Sequence, residues 1–305
     1  PDAPPRPEKE NGKEGDCAMT AIFKRETKSY FTGMIGYVVI AVLVAFIGLY
    51  YSANCLVYGS PDFSSVLYST TIAMLFVLPA LSMRSFADER RNKTDQLLLT
   101  SPITIPQIVL GKYLAQLAVF AVPMLLACLL PLLLSAFGEV LLAGAYATLL
   151  AYFLLGAACI AVGTFVSVLT ENQIIAYLAT FGLLLVSYLM EDIQTLFTTG
   201  STMAFIIFSI ALVVIAVLVG LVCKSLTVGC GTFCGGAVLL ILVFQMRPTW
   251  LLNGLNSVLD ALALFAPFRD FVGGMFSLSS ILYYLSVVGL FLFLTGQALE
   301  RRRWN

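Results

Sequence analysis

Residues Leu141–Leu169 read LLAGAYATLLAYFLLGAACIAVGTFVSVL and contain no Asp, Glu, Lys or Arg. A bilayer core needs about 20 apolar residues for one spanning helix, and a charge at its centre costs about 2.5–3.5 kcal/mol. Seven further runs between residues 34 and 303 have the same charge-free interior. The sequence therefore predicts an all-α polytopic membrane protein with about eight transmembrane helices. The predicted spans are Met34–Asn54, Val66–Met83, Tyr113–Phe137, Leu141–Leu169, Ile174–Met190, Met203–Val222, Thr227–Phe244 and Ser280–Ala298.

The composition supports this class and excludes others. Hydrophobic residues make up 60% of the chain and charged residues 11%, whereas soluble domains carry about 25% charged residues. Because the net charge is zero, we expect no nucleic-acid partner. With no histidine and seven scattered cysteines, we expect neither a metal site nor a catalytic centre. Ionisable groups inside the membrane commonly power transport, so their absence implies an energy source outside this chain.

The sixth and seventh predicted spans leave two alternatives open. Glycines at 229, 231, 235 and 236 interrupt Thr227–Phe244, although Gly231 and Gly235 also form a small face for close helix packing. The two segments either both cross the membrane or form a re-entrant pair beside six spanning helices. Both alternatives leave the last span crossing towards the basic residues 301–303.

The distribution of basic residues predicts the orientation of the chain. Lys and Arg concentrate in cytoplasmic loops. With the N-terminus inside, fifteen of the 17 basic residues lie on the cytoplasmic side, and only Arg247 and Arg269 lie opposite. The sequence therefore predicts that both termini are cytoplasmic.

Three segments flank or connect the spans. Residues 1–18 are rich in Pro, Glu and Lys and predict a disordered cytoplasmic tail. Residues 19–31 place Lys24 and its basic neighbours opposite Ile22 on a helix, a pattern typical of a helix in the membrane interface; the alternative is a plain positive flank of the first span. Residues 245–279 are too interrupted to span and predict short interfacial helices on the outer face, either shaping a pathway exit or serving only as a connector.

The cytoplasmic loop at residues 84–112 is the most specific segment, with the sequence RSFADERRNKTDQLLLTSPITIPQIVLGK. A charged cluster precedes three leucines, and Ser101-Pro102 then favours a turn. Charges steer an encounter while an apolar ridge fills a groove, so this pattern favours a docking element over a plain solvated loop.

This loop resembles the one between the second and third spans of ABC-2 type permeases, especially the gliding-motility-like branch. The resemblance rests on residues 84–91, Thr94–Leu99, Ser101-Pro102 and Gly111-Lys112, and it extends to both ends of residues 19–305. Lys93 departs from the family, which usually has Gly there, and the extra apolar pair 203–244 departs from its common six-span form. The residues that the resemblance assigns to ATPase coupling are Asp88, Glu89, Arg90, Arg91, Thr94, Asp95, Leu97, Leu98 and Pro102.

The resemblance implies a permease subunit that crosses a bacterial-type plasma membrane several times. Such a subunit pairs with a second permease copy or paralogue and with ABC ATP-binding subunits, which bind ATP and Mg, and it most often exports its substrate. It implies that Asp88–Leu99 transmits ATPase motion, and we expect this segment to contribute little to the permease's own fold. Gly111-Lys112 lacks the earlier glycine and the following Ser or Thr of a phosphate-binding loop, so we expect no ATPase site in this chain.

Two other functional classes are weaker alternatives. A secondary transporter or channel would need a midplane charge, broken helices in repeated halves or a polar-lined pore. A membrane-embedded lipid-modifying enzyme would need catalytic groups, yet histidine is absent and the carboxylates are scattered at span ends. The substrate-binding residues are not identified, because mid-span polar groups commonly bond to their own helix. The pathway candidates are Gln116, Thr148, Thr164, Ser167, Thr180 and Ser187.

Overall fold

The computed structural model describes residues 8–60, 62–92, 104–136, 141–197 and 248–303, together with seven single positions between 205 and 245. These residues belong to two compact units, one of residues 1–185 and 267–305 and one of residues 186–266. The regular elements in the described ranges are helices, as the charge-free runs predict. Their bounds are α1 Glu8–Thr32, α2 Met34–Tyr51 with a π-helical end at Ser52–Val57, α3 Phe63–Ser82, α4 Arg84–Arg91, α5 Ile105–Ala127, α6 Leu129–Ser135, α7 Leu142–Leu169, α8 Gln173–Phe197, α9 Pro248–Leu262, α10 Ala266–Val272 and α11 Leu278–Arg303.

Six helical stretches in the described part of the chain are long and apolar enough to cross a membrane. They correspond to predicted spans one to five and eight, which are therefore confirmed in type and order. Predicted spans Met203–Val222 and Thr227–Phe244 lie outside the described residues apart from single positions. The six stretches are Met34–Val57, Phe63–Arg91, Ile105–Ser135, Leu142–Leu169, Gln173–Met190 and Leu278–Arg302.

Helix α7 forms the centre of the larger unit. It packs against α3, α5 and α11, and most of its length is buried. Two glycines allow this close approach: a Cβ at Gly156 would lie 2.3 Å from the Phe120 ring, and one at Gly163 would lie 2.0 Å from Ser82 Oγ. Because an added methyl group has no space at these positions, small residues fix the distances of α5 and α3 from α7.

Residues 1–18 were predicted to form a disordered tail, but helix α1 already begins at Glu8. Residues 1–7 lie outside the described residues. Within residues 19–31 of α1, Ile22 and Tyr30 are buried and Lys24 is exposed. The apolar side, however, is covered by protein: α1 packs against α5 and α2. A position in the membrane interface stays a prediction.

The loop predicted at residues 84–112 is shorter than expected. Helix α5 begins at Ile105, where Gln107 Oε1 accepts a hydrogen bond from the Thr104 amide at 3.2 Å. The residues after Thr104 already form regular helical turns. Lys112 therefore lies inside the third spanning helix, whereas the sequence predicted it in the loop. The charge at Lys112 hid this continuation in the sequence, because a buried lysine is rare unless it is paired.

The segment predicted as short external helices contains two helices in its described part, α9 and α10. In the larger unit, Phe268 and Phe271 of α10 are buried, and Thr148 Oγ1 donates to Phe271 O at 3.2 Å. In the smaller unit, Ser187 Oγ donates to Leu262 O at 2.7 Å and accepts from Leu264 N at 2.8 Å. The position of these two helices at the outer interface stays a prediction.

Candidate functional site

Helix α4 has one apolar face that anchors it in the larger unit. Phe86 is 4% exposed and packs in a cluster contributed by α1, α4, α5, α7 and α11. Burying an aromatic side chain of this size stabilises its position by about 1.5–3 kcal/mol. The buried members of this cluster are Ile22, Phe86, Ile105, Ile108, Val109, Val168 and Leu299.

Beside this cluster lies a group of four charged residues, Arg25, Glu26, Glu89 and Lys112, in which Lys112 is buried and Arg25 is exposed. The Lys112 ammonium is 2.9 Å from Glu89 Oε1 and 3.2 Å from Glu26 Oε1. Arg25 Nη2 bonds to the same oxygens of Glu26 and Glu89 at 2.8 and 3.0 Å. Two positive and two negative charges thus join α1, α4 and α5. We call these four residues the charge cluster.

Lys112 is the most buried member of the charge cluster, with a side chain that is 1% exposed. Its ammonium also donates to Ser85 O at 2.8 Å and lies 5.0 Å from the centre of the Phe86 ring. Gln116, one turn along α5, donates to Ser85 Oγ at 2.9 Å. The partners of Lys112 therefore replace the water that burial removes, as a buried charge requires.

The charge cluster shifts the pKa of its residues on α1. Burial raises the pKa of Glu26, but the positive charges of Lys112 and Arg25 outweigh this effect and leave the pKa below its ordinary value. The hydrogen bond to Glu26 raises the pKa of Arg25, although partial burial opposes this shift. Both shifts favour the charged forms of Glu26 and Arg25.

The other charged residues of α4 bond to α7, α8 and the turn between them. Arg90 donates to the carbonyls of Val168 and Leu169 at 3.4 and 3.3 Å and to Glu171 Oε1 at 2.6 Å. A positive group at the last carbonyls of α7 also complements the dipole of that helix. Asp88 accepts from Gln173 Nε2 of α8 at 2.7 Å.

These contacts correct one sequence-based expectation. Asp88, Glu89 and Arg90 bind other helices of their own chain, so the expectation that this segment contributes little to the fold is wrong for α4. The reason is that α1 and α5 present positive side chains to α4, while α7 presents backbone carbonyls and α8 a glutamine amide. Arg91 is exposed. Thr94, Asp95, Leu97, Leu98 and Pro102 lie outside the described residues, and a coupling role for all nine stays a prediction.

Glu26 and Lys112 form an ion pair that the sequence patterns did not predict. Two signals were present: Glu26 is the acidic residue within a basic amphipathic segment, and Lys112 directly precedes an apolar run. Their separation of 86 positions in the chain gives no local indication that they meet.

The six pathway candidates are buried and form hydrogen bonds within the protein. Thr164 and Thr180 bond to carbonyls of their own helices, Ile160 O and Ala176 O. Ser167 bonds to the backbone of α4, Gln116 to Ser85, Thr148 to Phe271 and Ser187 to Leu262. These contacts favour packing and helix bonding as the role of all six side chains.

Residues 58–199 match a family model described as ABC-2 family transporter protein. Over these residues the chain is similar to ABC-2 family transporter proteins. The matched residues run from the start of α3 to the end of α8 and include α4 and its partners on α5, α7 and α8. This match and the six membrane-length helical stretches in the described part of the chain support a multi-pass membrane protein of a transport family. No curated protein and no solved structure matches the chain. Membership of the gliding-motility-like branch stays a prediction.

Proposed function

We propose that this chain is the permease subunit of an ABC exporter driven by separate ATP-binding subunits, with α4 and the residues that follow it receiving the movement of the ATPase. The observation that carries this proposal is the attachment of α4 to four helices. Glu89 joins it to α1 and α5, Arg90 to the end of α7, and Asp88 to α8. A force applied to α4 therefore acts on all four.

The charge cluster suits transmission of movement because its bonds are short and Lys112 at its centre is buried. Lys112 bonds to groups on α1 and α4 at once, so separating these helices would leave a buried ammonium without full compensation. Displacing α4 while keeping its bonds instead moves the packed helices together, which is a rigid-body change between two packed states. In this proposal the chain supplies the moving permease helices, and the ATP-binding partner holds ATP and Mg.

Docking on the partner falls to the exposed end of α4 and to the segment beyond it. Arg91 and Asn92 are exposed, whereas Asp88, Glu89 and Arg90 are engaged within the chain. We therefore assign the primary contact to Arg91 and to Thr94, Asp95, Leu97, Leu98 and Pro102. Asp88, Glu89 and Arg90 act as the attachment of that contact to the membrane helices.

The remaining properties follow from the ABC-2 domain and the composition. A second permease copy or a paralogue completes the membrane part, and the orientation of the basic residues suits a bacterial-type plasma membrane with both termini inside. The mainly apolar spans suit an amphipathic or lipid-like cargo better than an ion.

Affinity purification of the full chain from its native membranes tests the proposal. The tagged protein is extracted in mild detergent, and mass spectrometry identifies the co-purifying proteins and small molecules. We expect an ABC ATP-binding subunit in near-stoichiometric amount and vanadate-sensitive ATP hydrolysis in the eluate. An unrelated polytopic protein with the same tag is the control. Recovery of the chain without any ATP-binding protein, under conditions that keep it folded, would contradict the proposal.

A further inference from the structure

The joint between α3 and α4 consists of one residue. Helix α3 ends at Ser82 and α4 begins at Arg84, with Met83 between them. Pro79 lies in the last turn of α3, and its carbonyl accepts the Met83 amide at 2.9 Å. A helix normally starts at a Ser, Thr, Asp or Asn whose oxygen accepts a first-turn amide, but a methionine thioether is only a weak acceptor.

A serine from another helix supplies the missing acceptor. Ser167 Oγ of α7 accepts from the amides of Phe86 and Ala87, each at 3.1 Å, and donates to Met83 O at 3.1 Å. The hydroxyl thus uses both of its acceptor positions and its proton at this one joint. Ser167 and Ala87 are fully buried, so water does not reach the site to replace these bonds.

The close approach that these bonds need is present in the same turn of α7. Gly163 faces Ser82, where an added Cβ would lie 2.7 Å from Ser82 Cβ. The Ser82 side chain therefore packs directly against the Gly163 backbone, which leaves little room for the joint to slide along α7. Thr164, a neighbour on α7 that is equally buried, bonds instead to Ile160 O of its own helix. Thr164 offers a matched control.

We infer that Ser167 is a positioning residue that fastens the first turn of α4 to α7, so that the two helices move as one. This inference rests on the proposed function only where it names the ATPase as the source of the movement. The hydroxyl holds the start of α4 and Arg90 holds its end against the last carbonyls of α7. Because α4 is attached to α7 at both of its ends, it cannot rotate relative to α7 without breaking one of these contacts.

Hydrogen exchange in the full-length protein, reconstituted in lipid nanodiscs, tests the attachment. With fragmentation that resolves single amides, we expect Ser167→Ala to speed exchange at Phe86 and Ala87 by about tenfold. Thr164→Val should leave both amides unchanged, and Ser167→Thr, which keeps the hydroxyl, should stay close to the parent protein. Unchanged protection in Ser167→Ala, or an equal loss in Thr164→Val, would overturn the inference.

The same measurement on the complex with its co-purified ATPase tests the transmission. Trapping with ATP and vanadate should change exchange in the last turns of α7 of the parent protein, and Ser167→Ala should reduce that change several-fold. ATP hydrolysis by the Ser167→Ala complex, measured separately without vanadate, should continue. A full response in Ser167→Ala would overturn the transmission role. A parent chain that brings no ATPase with it would count against the proposed function alone, because the amide result needs no partner.

Discussion

Folding removes the positive charge of Lys112 from water, and the free energy of this step depends on the groups that surround the ammonium. Glu26 and Glu89 bring two carboxylates to it, Ser85 a carbonyl and Phe86 the face of a ring. Removing all compensation from a buried charge costs about 3–5 kcal/mol, whereas apolar replacement of a whole ion group is often neutral. Either carboxylate of the charge cluster can therefore compensate the Lys112 charge when the other is removed.

This redundancy predicts non-additive mutations. Glu26→Gln or Glu89→Gln alone leaves Lys112 one carboxylate and should lower the melting temperature modestly. The double variant should lose about 3–5 kcal/mol of unfolding free energy, more than the two single effects added, because it leaves the ammonium buried and unpaired. Thermal unfolding in detergent, followed by fluorescence, measures all three.

A third substitution and a peripheral ion pair serve as controls. Adding Lys112→Met to the double variant should recover most of the lost stability. Glu171→Gln, at a carboxylate that is 71% exposed, should cost no more than about 1 kcal/mol. Strictly additive single effects, with no recovery on adding Lys112→Met, would show that the charges do not act as one cluster.

The pKa of Glu26 predicts a dependence of stability on pH. Because folding lowers this pKa from its ordinary value of 4.5, the ionised carboxylate stabilises the folded state above that pH. The stabilisation is lost as the pH falls through the lower folded value. The melting temperature of the parent protein should therefore exceed that of Glu26→Gln at pH 6, and the difference should shrink below about pH 4.5. A difference that is constant from pH 6 to pH 3 would contradict this assignment.

The elements of the fold were predictable where length and absence of charge suffice. Six of the eight predicted spans could be compared with described helices, and their type and order agree. The start of α5 was not predictable, because Lys112 breaks the apolar run and only contacts from α1 and α4 neutralise it. The contribution of α4 to the fold was not predictable for the same reason. Its charged residues have the sequence pattern of a solvent-exposed segment, and their partners lie far away in the chain.

The packing of α3 on α7 predicts a steric test at the element scale. Gly163→Ala would place a Cβ 2.0 Å from Ser82 Oγ and should destabilise the protein by about 1–3 kcal/mol. Gly182→Ala on α8 meets no atom within 4 Å and should be neutral or slightly stabilising. Thermal unfolding of both variants in the same detergent compares them. Equal melting temperatures for the two would show that α3 does not approach α7 this closely.

For the whole molecule, the charge distribution predicts which face is cytoplasmic. A cysteine at Arg91 should resist a membrane-impermeant thiol reagent in intact cells, and one at Tyr58, which is 79% exposed, should react. A cysteine at Lys224 reports separately on the pair of segments whose topology the sequence leaves open. The parent chain supplies the background from its own cysteines. Reaction at Arg91 without lysis would reverse the orientation and remove α4 from the ATPase side.

The central claim is that α4 and the segment after it connect this permease to an ATPase. The most direct measurement is the amount of ATP-binding subunit that co-purifies with Leu97→Asp/Leu98→Asp, compared with the parent chain and with Thr100→Asp. Thr100→Asp adds charge to the same segment but keeps both leucines. We expect the double variant to keep the parent melting temperature and to lose ATP-binding subunit by about tenfold or more, because a partner groove would bury unpaired carboxylates. Normal recovery of the ATP-binding subunit with the double variant would contradict the claim.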